Sequence, residues 1–141
     1  MNEFEIIRRY FSPPTDHTIL AGGDDAALIA VTPGMELAIS ADALVAGRHF
    51  FEDAEPYDVG YKAMAVNLSD MAARGARPRW ATLCLTLPAA NPRWLEQFSS
   101  GFLTVSREHL VDLIGGDTTR GPLAVCVQIM GEVSLGKALR R

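Results

Sequence analysis

The sequence predicts an α+β fold in which helices cover one face of a mixed sheet. Segments with helical spacing of apolar residues are interleaved with runs of strand-forming residues, without the strict repeat of a doubly wound parallel sheet. A chain of 141 residues that is 48% hydrophobic suits one domain with a single core. We therefore predict a two-layer sandwich.

The first half of the chain predicts two helices and a hairpin. Residues 3–11 space their apolar side chains as a short amphipathic helix does. Two apolar runs, 26–31 and 36–41, flank a Pro33–Gly34 turn and predict a pair of strands. Residues 56–74 then predict a long helix that starts with proline and ends before a glycine.

The second half predicts two strands around a second long helix, then a glycine-rich turn. Residues 79–88 are rich in strand formers, and Asn91 followed by Pro92 is typical of a helix start. After that helix we expect a short strand, a turn around Gly115 and Gly116, and a longer strand over 123–134.

Charge and composition narrow the class of partner. The first 75 residues carry 12 acidic and 5 basic side chains, so the sequence lacks the basic stripe of a nucleic-acid-binding protein and favours metal cations. No leader-like segment and no apolar run of about 18 residues is present, which indicates a cytoplasmic protein without a membrane partner. Cys84 and Cys126 lie in apolar strand-like runs, and we expect both to be core thiols.

Four aspartates are placed where an ionised carboxylate is costly. Asp25, Asp42, Asp70 and Asp117 each stand at a predicted strand end or on a helix, beside small or apolar residues. Pairing or metal coordination would offset the desolvation penalty of such groups. A helix cap or a turn explains each one equally well when it is taken alone.

The helix over 56–74 carries the most informative of these positions. Asn67 and Asp70 share one stripe of a helix that is apolar over most of its surface, so they should face protein or ligand rather than water. The alternative is an ion pair between Asp70 and Arg74, one turn apart.

Two further features are compatible with a phosphate ligand. The stretch IGGDTTRG, residues 114–121, has glycines that allow close backbone approach and an aspartate that could hold a cation, but a glycine-rich turn fits as well. His49 follows the 36–41 strand and could touch substrate, the alternative being a partly buried ring packed near Phe50.

Four boxes together, GGDDAAL, SADALVAGRHF, YKAMAVNLSDMAARGARP and IGGDTTRGPL, resemble the N-terminal half of thiamine-monophosphate kinases in order and spacing. These enzymes are related to AIR synthetase. The resemblance covers essentially residues 1–141 and implies an N-terminal domain that binds ATP and Mg²⁺. Its sheet would pair with that of a second copy into a β-barrel, and the family's C-terminal domain has no counterpart in this sequence.

The resemblance also implies roles for individual residues. Asp24 lies beside Asp25 in the GDD box. Ala41 and Ala43 stand where the family usually has threonine, and this puts the affinity for magnesium in question. The magnesium positions are Asp25, Ser40, Ala41, Asp42, Asp70 and Asp117; the ATP positions are Gly116, Asp117 and Arg141; the thiamine-phosphate position is His49.

The activity implied is transfer of a phosphoryl group from ATP to thiamine monophosphate, giving thiamine diphosphate, with magnesium ions rather than a catalytic side chain offsetting the charge. A homodimer is implied, and we expect the isolated 141-residue chain to be inactive. Two alternatives remain open: another ATP-dependent synthase of the AIR-synthetase type, and a dimerisation and nucleotide-binding module without catalysis.

Overall fold

The computed structural model describes residues 1–20 and 26–140. The positions Asp24, Asp25 and Arg141 fall outside these residues, so the roles expected of them stay predictions. The elements, in chain order, are α1 (Glu3–Tyr10), β1 (Met35–Val45), α2 (Pro56–Ala73), β2 (Arg77–Leu87), α3 (Pro92–Glu108), β3 (Asp112–Arg120) and β4 (Ala124–Ser134).

The four strands form one mixed sheet in the order β1-β4-β2-β3, which confirms the predicted α+β class. β4 is antiparallel to both β1 and β2, whereas β2 and β3 are parallel. The parallel pair is joined through α3, as parallel neighbours require a long crossover. The main core lies between one face of this sheet and the helices, which leaves the other face open over much of its area.

The two long helices begin where the sequence predicts. Pro56 and Pro92 occupy the first helical turn, and the Asn91 side chain accepts hydrogen bonds from the backbone of the first turn of α3. The helices approach each other closely where Gly60 meets the Phe98 carbonyl, with no room for a Cβ atom. α2 is consequently covered by α3 on one side and by the sheet on another, as its apolar composition predicts.

The predicted hairpin is wrong in its first arm. Residues 26–31 form only an isolated bridge, between Leu28 and Leu20, while β1 pairs along its whole length with β4. The turn after Thr32 does form, with Gly34 at φ 83°. Residues 26–31 do not add a strand to β1, because Ala27 and Ile29 pack against the cluster of Trp80, Ile114 and Met130.

The predicted glycine-rich turn at Gly115 and Gly116 is also wrong, because both glycines lie inside β3. The register of β3 against β2 shifts between Ala81 and Thr82, so β3 carries one extra residue there. A bulge of this kind re-aims the side chains that follow it. The local sequence signals irregular backbone correctly but places it in a turn rather than in a strand.

The two cysteines are not core thiols. Cys84 of β2 and Cys126 of β4 are exposed thiols that lie opposite each other on the open face of the sheet. Burial, the neighbouring Cys126 and the charge of Asp117 raise the pKa of the Cys84 thiol. The prediction failed because an apolar strand in a one-sided sheet still sends every second side chain to the open face.

Two buried carboxylates fasten the segment before β1 across one end of the open face. Asp112 accepts hydrogen bonds from the backbone N–H groups of Asp16 and His17 at 2.9 and 3.0 Å, and from the Thr18 hydroxyl at 2.6 Å. Glu132 accepts from the backbone and hydroxyl of Thr32. Together they anchor the chain on both sides of the Leu20–Leu28 bridge.

These contacts lower the pKa of both carboxyls. Burial alone would raise the pKa of Asp112, but the hydrogen bonds from Thr18, Asp16 and His17 outweigh it. Burial alone would also raise the pKa of Glu132. The hydrogen bonds from Thr32 and the charge of Arg79, whose Nε lies 3.4 Å from Glu132, outweigh it and lower that pKa. Both groups are therefore held as anions in the folded state.

Among the described residues, no helix has the length and apolarity needed to cross a membrane.

The lowered pKa values predict acid-sensitive folding. A depressed carboxyl pKa gives stability that is complete above the unfolded value, about 4, and is lost as pH falls through the folded value. The free energy of unfolding, measured by urea titration at a series of pH values, should therefore decline below about pH 4. Asp112→Asn should lower it by about 2 kcal/mol at pH 7 and flatten the acid slope. The exposed Asp16→Asn should change neither, and an unchanged slope in Asp112→Asn would contradict this account.

Candidate functional site

Three oxygen-bearing side chains predicted to bind metal meet between β1 and α2. Ser40 and Asp42 are two residues apart on β1 and therefore point to the same side, toward the helices. The Ser40 hydroxyl donates a hydrogen bond to Oδ2 of Asp70 on α2 at 3.2 Å. Asp42 lies within the strand, not at its end as predicted, and its carboxyl also contacts that of Asp70.

The two carboxyls of this cluster lie close enough to affect each other's ionisation. The hydrogen bond with Asp70 raises the pKa of Asp42, and burial and the charge of Asp70 raise it further. A divalent cation between two such carboxyls would offset their repulsion. The donors are hard oxygens, which Mg²⁺ prefers, so the residues present fit this ion.

Asn67 adds a fully buried amide one turn before Asp70. Its Nδ2 donates to the Ala63 carbonyl at 2.8 Å, whereas its Oδ1 is buried without a hydrogen-bond partner among the described residues. A buried unpaired acceptor costs free energy and is uncommon in folded proteins. The Oδ1 atom of Asn67 can therefore still accept a hydrogen bond. Its burial agrees with the prediction that this stripe faces protein or ligand rather than water.

A cavity of about 490 Å³ opens beside the cluster and brings basic residues to it. Its walls include Ser40, Asp70, Arg74 and Arg140. The ion pair between Asp70 and Arg74, which was the alternative interpretation, is not formed. Arg74 instead donates to the Leu139 carbonyl at 2.9 Å, and Leu139 N–H donates back to the Arg74 carbonyl. Carboxylates and guanidinium groups around one cavity suit an anion that arrives with a cation.

The contribution of Arg140 was not predicted. It is brought to the cavity by the fold of the chain after β4, and no local pattern in the sequence signals that position. A larger cavity, of about 590 Å³, lies between the start of α1 and the ends of β2 and β3. It is lined mainly by apolar groups and contains none of the predicted site residues, so we place the candidate site at the Ser40–Asp70 cavity.

His49 lies beyond the end of β1 and is exposed, not partly buried as the alternative interpretation required. Its Nδ1 accepts a hydrogen bond from the Val45 N–H at 2.9 Å, which fixes the ring over the turn at Gly47. Val45 is three positions after Asp42 along β1, so their Cα atoms are about 10 Å apart. His49 is thus outside the carboxylate cluster, at a distance that a second part of a ligand could span.

Two other predicted metal positions do not join the cluster within one chain. Ala41 points to the open face, so it could offer the cluster only its backbone carbonyl, and the hydroxyl of a threonine there would also point away. Asp117 on β3 lies opposite Cys84, on the open face and exposed. Three strand spacings separate β3 from β1, which amounts to about 14 Å.

Gly116 fixes the backbone from which Asp117 extends. It has φ 141°, and a Cβ atom built on it would overlap the Leu83 carbonyl of β2. Only glycine fits this close approach without moving the two strands apart. The neighbouring Gly115 has open space at the same position. The Asp117 carboxylate itself accepts a hydrogen bond from the Thr118 N–H at 3.0 Å.

No group of three or more His, Cys, Asp or Glu side chains that could hold a metal ion occurs in residues 1–20 and 26–140. The Ser40–Asp42–Asp70 cluster falls short of that because one of its three donors is a hydroxyl. Within the described part of one chain it is therefore a partial oxygen site.

Comparison with known proteins gives a consistent family. Residues 23–133 match the model of the AIR synthase related protein, N-terminal domain. The thiamine-monophosphate kinase of Escherichia coli K12 is 49% identical over 99% of this chain and 44% of its own length. The chain thus spans less than half the length of such curated relatives.

Solved structures indicate the same family. The crystal structure of thiamine-monophosphate kinase from Stenotrophomonas maltophilia K279a matches with a TM-score of 0.83 and 47% identity, over 97% of this chain and 43% of that one. The complex of AaThiL with AMPPCP and TMP matches with a TM-score of 0.70 and 29% identity, over 74% of this chain and 35% of that one.

The contrast between the two glycines of β3 predicts a matched pair of variants. Gly116→Ala must push Leu83 away and should lower the free energy of unfolding by about 3 kcal/mol, whereas Gly115→Ala should cost less than about 1 kcal/mol. Thermal or urea unfolding of the two variants measures the difference. Equal losses in both would show that the Leu83 contact does not determine the β2–β3 register.

Proposed function

Since the chain belongs to the AIR synthase related proteins and carries their N-terminal domain, we propose that residues 1–141 are the ATP- and magnesium-binding domain of a thiamine-monophosphate kinase. The reaction is phosphorylation of thiamine monophosphate by ATP to thiamine diphosphate. The observation that carries the proposal is the Ser40–Asp42–Asp70 cluster at the wall of a cavity that also holds arginines. The AaThiL complex with AMPPCP and TMP supports the same pair of ligands.

The chain's own residues prepare a site for anionic reactants. Ser40, Asp42 and Asp70 would hold Mg²⁺ with Asp25 and the carbonyl of Ala41, and the ion would offset the repulsion that raises the pKa of Asp42. Arg74 and Arg140, which line the same cavity, would attract phosphate oxygens, with Gly116, Asp117 and Arg141 as the further nucleotide positions. Bound magnesium supplies charge neutralisation between the two phosphate groups.

The acceptor requires little help from a general base. A phosphate monoester is mostly ionised near neutral pH, so its oxygen already has the electrons with which to attack. The main barrier is repulsion between anions, at about 4 kcal/mol for two unit charges 4 Å apart at an effective dielectric of 20. We therefore assign no catalytic side chain, and His49 is proposed to contact the thiamine phosphate with its ring already oriented by Val45.

We also propose that two copies of the chain pair through the unpaired edges of their sheets, β1 and β3. Joining β3 of one copy to β1 of another on both sides would close an eight-stranded barrel. Asp117 would then face the barrel interior, on the side of the sheet opposite Asp42, so this pairing alone does not add Asp117 to the Ser40–Asp42–Asp70 cluster. The open face carries exposed apolar side chains, Leu37, Ile39 and Val45, that such a barrel would bury.

The proposed dimer predicts that a charge placed on the open face of the sheet will weaken association of two copies. Ile39 is 57% exposed on the open face, and Ile39→Glu would place a charge inside the proposed barrel. Sedimentation velocity should show the wild-type chain at twice its mass of 15.3 kDa and the variant mainly as monomer. Phe51→Glu, at a residue that is more exposed and lies outside the sheet, is the matched control. A monomeric wild type at all concentrations would contradict the proposed dimer.

The kinase proposal predicts that Asp70 is required for metal-dependent binding. Asp70→Asn removes one charge from the cluster and should weaken Mg²⁺-dependent ATP binding, measured by calorimetry on the 141-residue chain, about tenfold or more. In the complete protein it should lower turnover of thiamine monophosphate at least about tenfold. Asp58→Asn, the same charge change at the exposed start of α2, should leave both near normal. Unchanged binding and turnover in Asp70→Asn would reject the metal role.

The same measurements separate the alternatives. Binding of ATP without turnover by any form of the protein would favour a nucleotide-binding and dimerisation module. Failure to bind thiamine monophosphate, with ATP hydrolysis driven by an aminoimidazole-type precursor or by selenide, would favour a related ATP-dependent synthase.

A further inference from the structure

Two thiols face each other across neighbouring strands of the open sheet face. Cys84 of β2 and Cys126 of β4 are direct partners in the antiparallel register. Directly opposed residues of an antiparallel pair project to the same face of the sheet. Both side chains are exposed and neither is in a disulfide. None of the magnesium, nucleotide or substrate positions proposed above uses them.

The register places these cysteines within bonding range without any movement of the backbone. Opposed Cα atoms of antiparallel strands are about 4.5 or about 5.5 Å apart, depending on whether the pair is hydrogen-bonded. Disulfides span Cα separations of about 4.4–6.8 Å. Both possible strand spacings fall inside that range. A diagonal pair, two residues further along one strand, is about 7–8 Å apart and falls outside it.

We propose that Cys84 and Cys126 form a reversible disulfide that joins β2 to β4 when the protein meets a small-molecule disulfide such as oxidised glutathione. One thiolate attacks the small disulfide, forms a mixed disulfide and releases one small thiol. The other thiolate attacks the protein sulfur of that mixed disulfide and releases the second. The two cysteines lose two electrons and two protons, and the small disulfide gains them as two thiols.

The position of this bond connects it to the proposed site. Cys84 is also the register partner of Asp117, so the row Ala43, Cys126, Cys84, Asp117 crosses all four strands. The disulfide would form one strand away from Asp117, a proposed magnesium and nucleotide position. In a reducing cytoplasm such a bond is transient and responds to oxidation, rather than acting as a permanent structural brace.

The test is equilibration of the 141-residue chain with mixtures of oxidised and reduced glutathione, followed by acid quench, alkylation of remaining thiols and peptide mass spectrometry. We expect a linked Cys84–Cys126 peptide with both residues protected from alkylation, reversed by excess reduced glutathione. Because the readout is an equilibrium, coverage of this face in a dimer slows the reaction without changing its end point. The result is independent of kinase activity, so it can fail or succeed without the proposed function.

The matched control keeps the number of thiols and changes only their geometry. Cys84→Ser combined with Thr86→Cys moves one thiol two residues along β2, to a diagonal position relative to Cys126. It should form at least about tenfold less internal disulfide in the same glutathione mixture. The single variants Cys84→Ser and Cys126→Ser should show only the glutathione adduct. Glutathione adducts on both wild-type cysteines, links between chains, or equal internal linkage in the diagonal variant would overturn the proposal.

Discussion

The alternation of side chains along β1 is the constraint on which the candidate site depends. Because successive residues of a strand point to opposite faces, Ser40 and Asp42 meet α2 while Ile39, Ala41 and Ala43 face the other way. A slip of one residue against β4 would send both oxygen donors to the open face and bury the alanines. The unbroken pairing of β1 with β4, from Met35 to Val45, thus places the side chains of Ser40 and Asp42 on the helix-facing side of the sheet.

The buried carboxylates have a different task from the clustered ones. Asp112 and Glu132 are satisfied by backbone and hydroxyl donors, so their charge is stabilised and their pKa values fall. The Asp42 carboxyl has another carboxyl as its main partner, so its pKa rises. Hydrogen-bond donors stabilise a carboxylate's charge and let it hold the fold together. A like-charged neighbour instead leaves a carboxylate whose charge a cation can stabilise. The same residue type serves both purposes because its surroundings differ.

The sequence predicted the regular elements better than their partners. Helix starts at Pro56 and Pro92 follow from local chemistry and were confirmed, and the burial of Asn67 agrees with the prediction that this stripe of the helix does not face water. Pairing is a long-range property, so the run 26–31 looked like a strand although its apolar groups pack on Trp80. Asp117 belongs to a strand three spacings from β1, a distance that only the strand order reveals. Likewise, nothing local to Cys84 or Cys126 shows that they are opposed.

The long edge strand β1 has a further consequence for a single copy of the chain. It spans 11 residues, pairs with β4 alone and displays outward apolar groups such as Leu37 and Ile39. An unpaired edge of this length is a template for strand addition by any extended segment, which leads to aggregation. Only Glu36 and Asp42 on that strand carry the charge that deters such growth. The Asp42 carboxylate, which suits a magnesium site, therefore also opposes such strand addition at this edge.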